Sequence, residues 1–221
     1  MIERPLIFSP DMVRALLAGR KTMTRRIVAP NYQVGDLLWV RENWQPMGYT
    51  NLDDSEYRIK YSADDVTMCG YLKPVQDEKY FNMLWKEVVK RYFPVEESGV
   101  IPNGYEFNIR PSIHMFKEMS RIWLRVRETR CERLHNITNR DAIAEGIEIL
   151  DPSVVWGEDK PVYINYLDKG TATDSPIESF KSLFVKIHGE EFWNMNPFIW
   201  VTAFDVLSIE GYHKIKEEAI V

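Results

Sequence analysis

The chain has 221 residues, a formal net charge of −5, 45% hydrophobic and 28% charged side chains, a profile that excludes a disordered tail and predicts one large domain with insertions. Two cysteines, Cys69 and Cys131, exclude a disulfide scaffold, no apolar run is long enough for a bilayer, and MIERPLIF lacks a signal-peptide pattern, so the expected location is cytoplasmic. An acidic chain is a poor wrapper of a long duplex, although a local basic pocket for one nucleotide or a short strand stays open.

The first predicted element is a helix over about residues 10–18: Ser9 caps it, Pro10 takes the first helical place, Asp11 complements the dipole and Gly19 stops it. Lys21 to Val28 is rich in threonine and reads as an extended segment. Gly35-Asp36 signals a turn, and Leu37-Leu38-Trp39-Val40 has the near-continuous apolar character of a strand buried on both faces. From Trp44 to about Arg110 the chain turns polar, with one strand expected at Tyr57–Tyr61 and one helix read from Phe81, Leu84, Trp85 and Val88.

Arg121 to Arg127 alternates, with Ile122, Leu124 and Val126 on one side and Arg121, Trp123, Arg125 and Arg127 on the other. It predicts a strand with a basic outer face, either solvated or lining a nucleic-acid groove. Thr138 caps a short helix, Asn139–Glu145, that ends at Gly146, with Asp141 best explained as part of the cap. An irregular loop is expected over 149–174. Ser175-Pro-Ile-Glu178 opens a longer helix striped by Phe180, Leu183, Phe184 and Ile187, and Phe198–Leu207 is the last strand before a charged tail. Strands outnumber helices, so the expected class is α+β, a small β-barrel with short peripheral helices and insertions near 45–110 and 148–175.

His114, His135, His188 and His213 are scattered and neither cysteine lies in a C-x-x-C pair, so no metal site is expected; the absence of phosphate-loop and dinucleotide-loop glycine patterns leaves no cofactor expected. A nucleophile elbow is missing too. What stands out is LLAGRKTMTRR, residues 16–26, where Arg20, Lys21, Arg25 and Arg26 surround Thr22 and Thr24. It is either a solvated turn or a site where neighbouring cations lower the Lys21 pKa, making it a base for a threonine nucleophile. Glu145 is the other unusual placement, either an ordinary surface carboxylate or a proton donor, because a carboxylate in the last turn of a helix is disfavoured by the macrodipole.

The order LLAGRKTMTRR, GDLLWVREN, TNRDAIAEGI and FIWVTAF resembles the ASCH domain family, whose fold is a PUA-like barrel. RPSIHMFKEMSRIWLRV, ERLHNIT and WNMNPFIWV bring the chain closer to phage- and prophage-borne members. The resemblance implies RNA or modified-nucleoside recognition. Its small bacterial amidohydrolases of N(4)-acetylcytidine imply roles for Lys21 as base, Thr24 as nucleophile and Glu145 as acid. Arg20, Thr22, Arg25, Arg26, Trp39, Arg41, Glu42, Trp44, Arg110, Ser112 and His114, which lie in the matching segments, are the remaining candidates for holding substrate or nucleic acid.

This chain is about twice the length of those compact enzymes. The alternatives to an amidohydrolase are an RNA or modified-nucleic-acid binding module, a metal-independent ribonuclease, and a phage structural accessory. In a strict strand the three-residue step from Lys21 to Thr24 puts them on opposite faces, so their convergence requires a turn or bulge.

Overall fold

A computed structural model describes residues 1–49, 56–64, 67–71, 108–150, 161–168 and 170–208. Its centre is a mixed five-stranded sheet of β1 (Glu3–Ile7), β2 (Met23–Arg26), β3 (Leu37–Arg41), β7 (Trp123–Arg133) and β11 (Phe198–Ser208), in the order β1-β3-β7-β11-β2. Only β1 and β3 run parallel; the other three pairings are antiparallel. Helix α1 (Pro10–Leu17) follows β1, as the Ser9-Pro10 signal predicts, although the Ser9 side chain makes no capping bond. Asp36, from the predicted turn, accepts the Ile2 N–H at 2.7 Å and the Gln33 N–H at 3.0 Å, which sets β1 beside β3.

One face of this sheet closes on Leu6, Phe8, Val13, Leu16, Leu38, Val40, Ile122, Leu124, Val126 and Phe204, all buried. Each such side chain contributes about 1.5–3 kcal/mol of burial. On the other face, Ile199 joins Leu134, Ala142, Phe180, Leu183, Phe184 and Trp193 from α2 (Asn139–Ala144), α3 (Pro176–His188) and α4 (Glu190–Asn194). Thr138 and Ser175 accept the Asp141 and Glu178 N–H groups at 3.1 and 3.3 Å, the two predicted caps. Ile187, expected in the apolar stripe of α3, is 54% exposed.

The class is α+β as expected, and no closed barrel forms among the described residues. The sheet stays open, and its two edges are joined by a side chain: Arg26, ending β2, donates to the Ile7 carbonyl, ending β1, at 2.5 Å. The described residues of the region 44–110 hold not one strand but three, β4 (Trp44–Tyr49), β5 (Glu56–Tyr61) and β6 (Thr67–Tyr71), in an antiparallel meander. The described residues of the loop expected over 149–174 contain three short antiparallel strands, β8 (Ile149–Leu150), β9 (Val162–Ile164) and β10 (Ala172–Thr173). The helix expected near 81–88 and the tail after 211 lie outside the described residues. No helix among those described is long and apolar enough to cross a membrane.

The basic outer face expected on Arg121–Arg127 is present in part: Arg125 and Arg127 are exposed, whereas Arg121 is not. The strand starts at Trp123, which is fully buried, and Arg121 precedes it at 3% exposure. Its guanidinium grips both oxygens of Glu42 (2.9 and 2.8 Å) and of Asp64 (2.8 and 3.1 Å), and stacks 4.1 Å from the Tyr61 ring centroid. Glu42 is 2% exposed, and burial pushes its carboxyl above the ordinary value against the pull of Arg121. Arg121→Met therefore leaves a carboxylate buried alone and is expected to cost about 3–5 kcal/mol in urea unfolding. Adding Glu42→Leu is expected to recover much of that loss, because Asp64 is more exposed and can hydrate.

Candidate active site

The segment after α1 holds the site. Gly19 takes a left-handed φ of +69°, and the Arg20 and Lys21 N–H groups both return to the Ala15 carbonyl, at 2.9 and 3.1 Å. The chain thus leaves the helix in a tight turn. Lys21 then makes an isolated antiparallel bridge with Glu145, the Thr22 N–H donates to the Ala144 carbonyl at 2.9 Å, and β2 begins at Met23.

This bridge joins the two unusual placements of the sequence across 124 positions. Lys21 is fully buried and Glu145 is 3% exposed; the amine donates to Glu145 Oε2 at 2.9 Å and to the Glu145 carbonyl at 2.8 Å. Gly146, at φ +88°, lets the end of α2 approach: a Cβ there would stand 2.8 Å from both the Ala15 and Lys21 Cβ atoms. Gly146→Ala is expected to lower stability by about 2–4 kcal/mol, measured by chemical denaturation, from overpacking together with a disfavoured backbone.

Arg25 completes the buried end of the site. Its Nη1 reaches Glu145 Oε1 at 3.2 Å, and its Nη2 reaches Glu132 at 2.8 Å and Asp141 at 3.1 Å. Arg130 bonds the same two carboxylates, at 2.9 and 3.2 Å. Three cations, Lys21, Arg25 and Arg130, thus meet three carboxylates, Glu132, Asp141 and Glu145. Asp141, expected as a cap, spends its side chain here; the cap itself is the Thr138 hydroxyl.

Burial is the first cause that pushes the Lys21 amine below its ordinary value. Glu145 resists the shift, while Arg26 and Arg25 add to it. The direction suits a base, because a neutral amine can take a proton.

Strand alternation disposes the rest. Met23 packs with Ala144, and Arg25 lies 5.8 Å from the Phe180 ring centroid, so these two face the helices. Thr24 takes the opposite face, in register with Thr202, whose hydroxyl is 3.1 Å from the Tyr32 hydroxyl. Arg26 shares the Thr24 face, its guanidinium 5.1 Å from the Phe8 ring centroid, and Lys21 Nζ lies 5.6 Å from the same centroid. The Lys21 amine also bonds Glu145, whose other oxygen meets Arg25 on the helix-facing side. Among the described residues Thr24, 4% exposed, makes no side-chain hydrogen bond to Lys21 or Glu145, so two of the three predicted catalytic groups are joined directly and the third is not.

The other predicted binding residues divide. Arg20 is tied to the Gly146 and Ile147 carbonyls at 2.9 and 3.2 Å and pins the turn, while Thr22 serves through its backbone. Arg25 and Glu42 are each held in a buried ion pair. Trp39, 6% exposed with Arg41 4.6 Å from its centroid, and Trp44, fully buried, offer no open ring for a base, against expectation. Arg110 pairs its backbone with Trp44; Ser112 and His114 sit in an exposed 3-10 turn bonded to Asn43, on a segment without hydrogen bonds to Lys21, Thr24 or Glu145.

Glu132, Tyr32, Thr202 and Phe8 were not among the residues expected at the site. Glu128-x-Arg130-x-Glu132 carries charges at the period of one strand face, a signal that points at Glu132; nothing in the sequence marks Tyr32. No family model, no curated protein and no solved structure matches the chain.

Proposed function

We propose that the protein is an amidohydrolase acting on an N-acylated pyrimidine nucleoside such as N(4)-acetylcytidine, on a PUA-like framework of the ASCH type. The observation that carries this reading is the buried Lys21–Glu145 pair, 2.9 Å apart, at the start of the edge strand that presents Thr24. The resemblance of LLAGRKTMTRR and TNRDAIAEGI to the family's motifs supports the same roles.

Burial lowers the Lys21 amine below its ordinary value, so in this scheme Lys21 acts as the neutral base and Glu145 as the acid. Lys21 takes the Thr24 hydroxyl proton as Oγ1 attacks the acyl carbon. The C–N bond breaks, and Glu145 gives its proton to the departing exocyclic amine. Water then attacks the acyl–Thr24 ester, losing a proton to Glu145, while Lys21 returns its proton to Thr24 Oγ1 and the carboxylic acid leaves. Arg25 holds the second oxygen of Glu145, which fixes the oxygen facing Lys21. Catalytic hydrogen bonds often tighten only around substrate, and Thr24 needs to come within about 2.6–3.2 Å of the amine.

Incubation with N(4)-acetylcytidine and other N-acylated cytidines, followed by chromatographic detection of cytidine, tests the reading. Turnover lost in Lys21→Ala supports it, and no turnover by the unaltered protein overturns it. Binding to a single strand without chemistry is the weaker reading, because the arginines of β7 are partly neutralised: Arg127 faces Asp205 at 3.3 Å, and Arg130 faces Glu128 at 3.1 Å.

A further inference from the structure

Arg25 and Arg26 are neighbours in sequence and opposite in circumstance. Arg25 is surrounded by three carboxylates. Arg26, on the Thr24 face, has no carboxylate within ion-pair distance among the described residues; its one side-chain hydrogen bond goes to the Ile7 carbonyl, and its plane lies by Phe8. A guanidinium has five N–H donors, so most of its capacity is unused.

Its surroundings are polar and belong to the site. Thr24 is two residues away on the same face. Tyr32 and Glu145 both lie near enough to favour its charge, whereas burial pushes the guanidinium below its ordinary value. The hydroxyls of Tyr32 and Thr202 form a second polar pair on this face. A half-buried cation with free donors, beside a nucleophile, is suited to a planar bidentate contact with an oxyanion.

We infer that Arg26 holds a phosphate group of the substrate, so that the site takes a phosphorylated nucleoside in preference to the free nucleoside. The inference rests on the proposed function for the placement of the base near Thr24, but the phosphate contact itself does not need the hydrolysis to occur. Arg26 is a specificity-determining residue in this scheme and not a proton carrier.

Binding is measured by calorimetry with cytidine, cytidine 5′-monophosphate and inorganic phosphate, for the unaltered protein, Arg26→Met and Arg26→Lys. The expected result is at least about tenfold tighter binding of the monophosphate than of cytidine. Arg26→Met is expected to erase that preference while leaving cytidine within about twofold, and Arg26→Lys to retain part of it as a point charge. Equal affinity of the unaltered protein for cytidine and its monophosphate overturns the inference, as does equal weakening of both ligands in Arg26→Met. Inorganic phosphate binding as tightly as the monophosphate also overturns it, since the site would then be for a free anion.

Should Arg26→Met fail to fold, Arg26→Lys and the ligand comparison on the unaltered protein decide the matter. A monophosphate preference that depends on Arg26, in a protein that turns over no N-acylated cytidine, refutes the hydrolytic reading and leaves this inference standing.

Discussion

Replacing Lys21 with alanine is expected to reduce amide hydrolysis by about 10²–10⁴-fold, the range spanned by a positioned acid–base group. The loss should appear in kcat and kcat/KM together, because a proton taken from Thr24 matters only in the transition state. Lys21→Arg keeps the charge and the Glu145 contact but cannot release a proton, so it is expected to be as inactive as Lys21→Ala; activity retained by Lys21→Arg would refute the role of base. The rate in the unaltered protein should rise with pH along an acid limb set by Lys21, which lies below the ordinary lysine value of 10.5.

Stability carries the same sign. A lysine whose folded pKa is lowered binds its proton more weakly in the native state, so stability relative to Lys21→Met rises with pH between the folded value and 10.5. A difference that fell with pH in this window would mean that the amine is held protonated, and the proposed proton transfer would lose its starting point.

Much of the site's local structure is legible in the chain because it is written in short-range signals. Gly19 after Leu16-Leu17, Thr138 before Asn139 and Gly146 after Glu145 each announce a turn or cap, and the structure has those turns. Lys21 and Glu145 stood out for their placement, but their meeting depends on the antiparallel bridge between the α1 exit and the end of α2, a contact spanning 124 positions that no local pattern encodes. Arg121 is missing from the basic face of residues 121–127, which keeps Arg125 and Arg127 exposed, for a related reason. Alternation predicts which side chains share a face, but not that Glu42 and Asp64, from elsewhere in the chain, arrive to bury Arg121.

The open sheet differs from the expected barrel on similar grounds. Strand propensity marks β2 and β3, yet whether the two edge strands pair depends on curvature, which accumulates over the whole sheet. Here β1 and β2 are bridged by Arg26, one side chain doing what a ladder would do in a closed barrel. Thr24 lies on this edge strand and is 4% exposed.

Arg25→Met is expected to be the most destabilising change at the site, costing about 3–5 kcal/mol, because it removes the cation shared by three carboxylates and leaves them close together. For a domain of this size that corresponds to a fall in Tm on the order of 10 °C. Lys21 and Arg130 remain, but each already serves its own contacts, and neither reaches all three groups. Arg25→Lys should recover only part of the loss, since one ammonium cannot match the fork that touches Glu145 with one nitrogen and Glu132 and Asp141 with the other. Arg26→Met, one residue on, is expected to cost about 1 kcal/mol, the worth of one hydrogen bond. Thermal and urea unfolding of the two methionine variants side by side measures the contrast. Equal losses would mean that the carboxylates are stabilised by solvent and not by Arg25, and that Glu145 is not held for its partner Lys21 in the way the geometry implies.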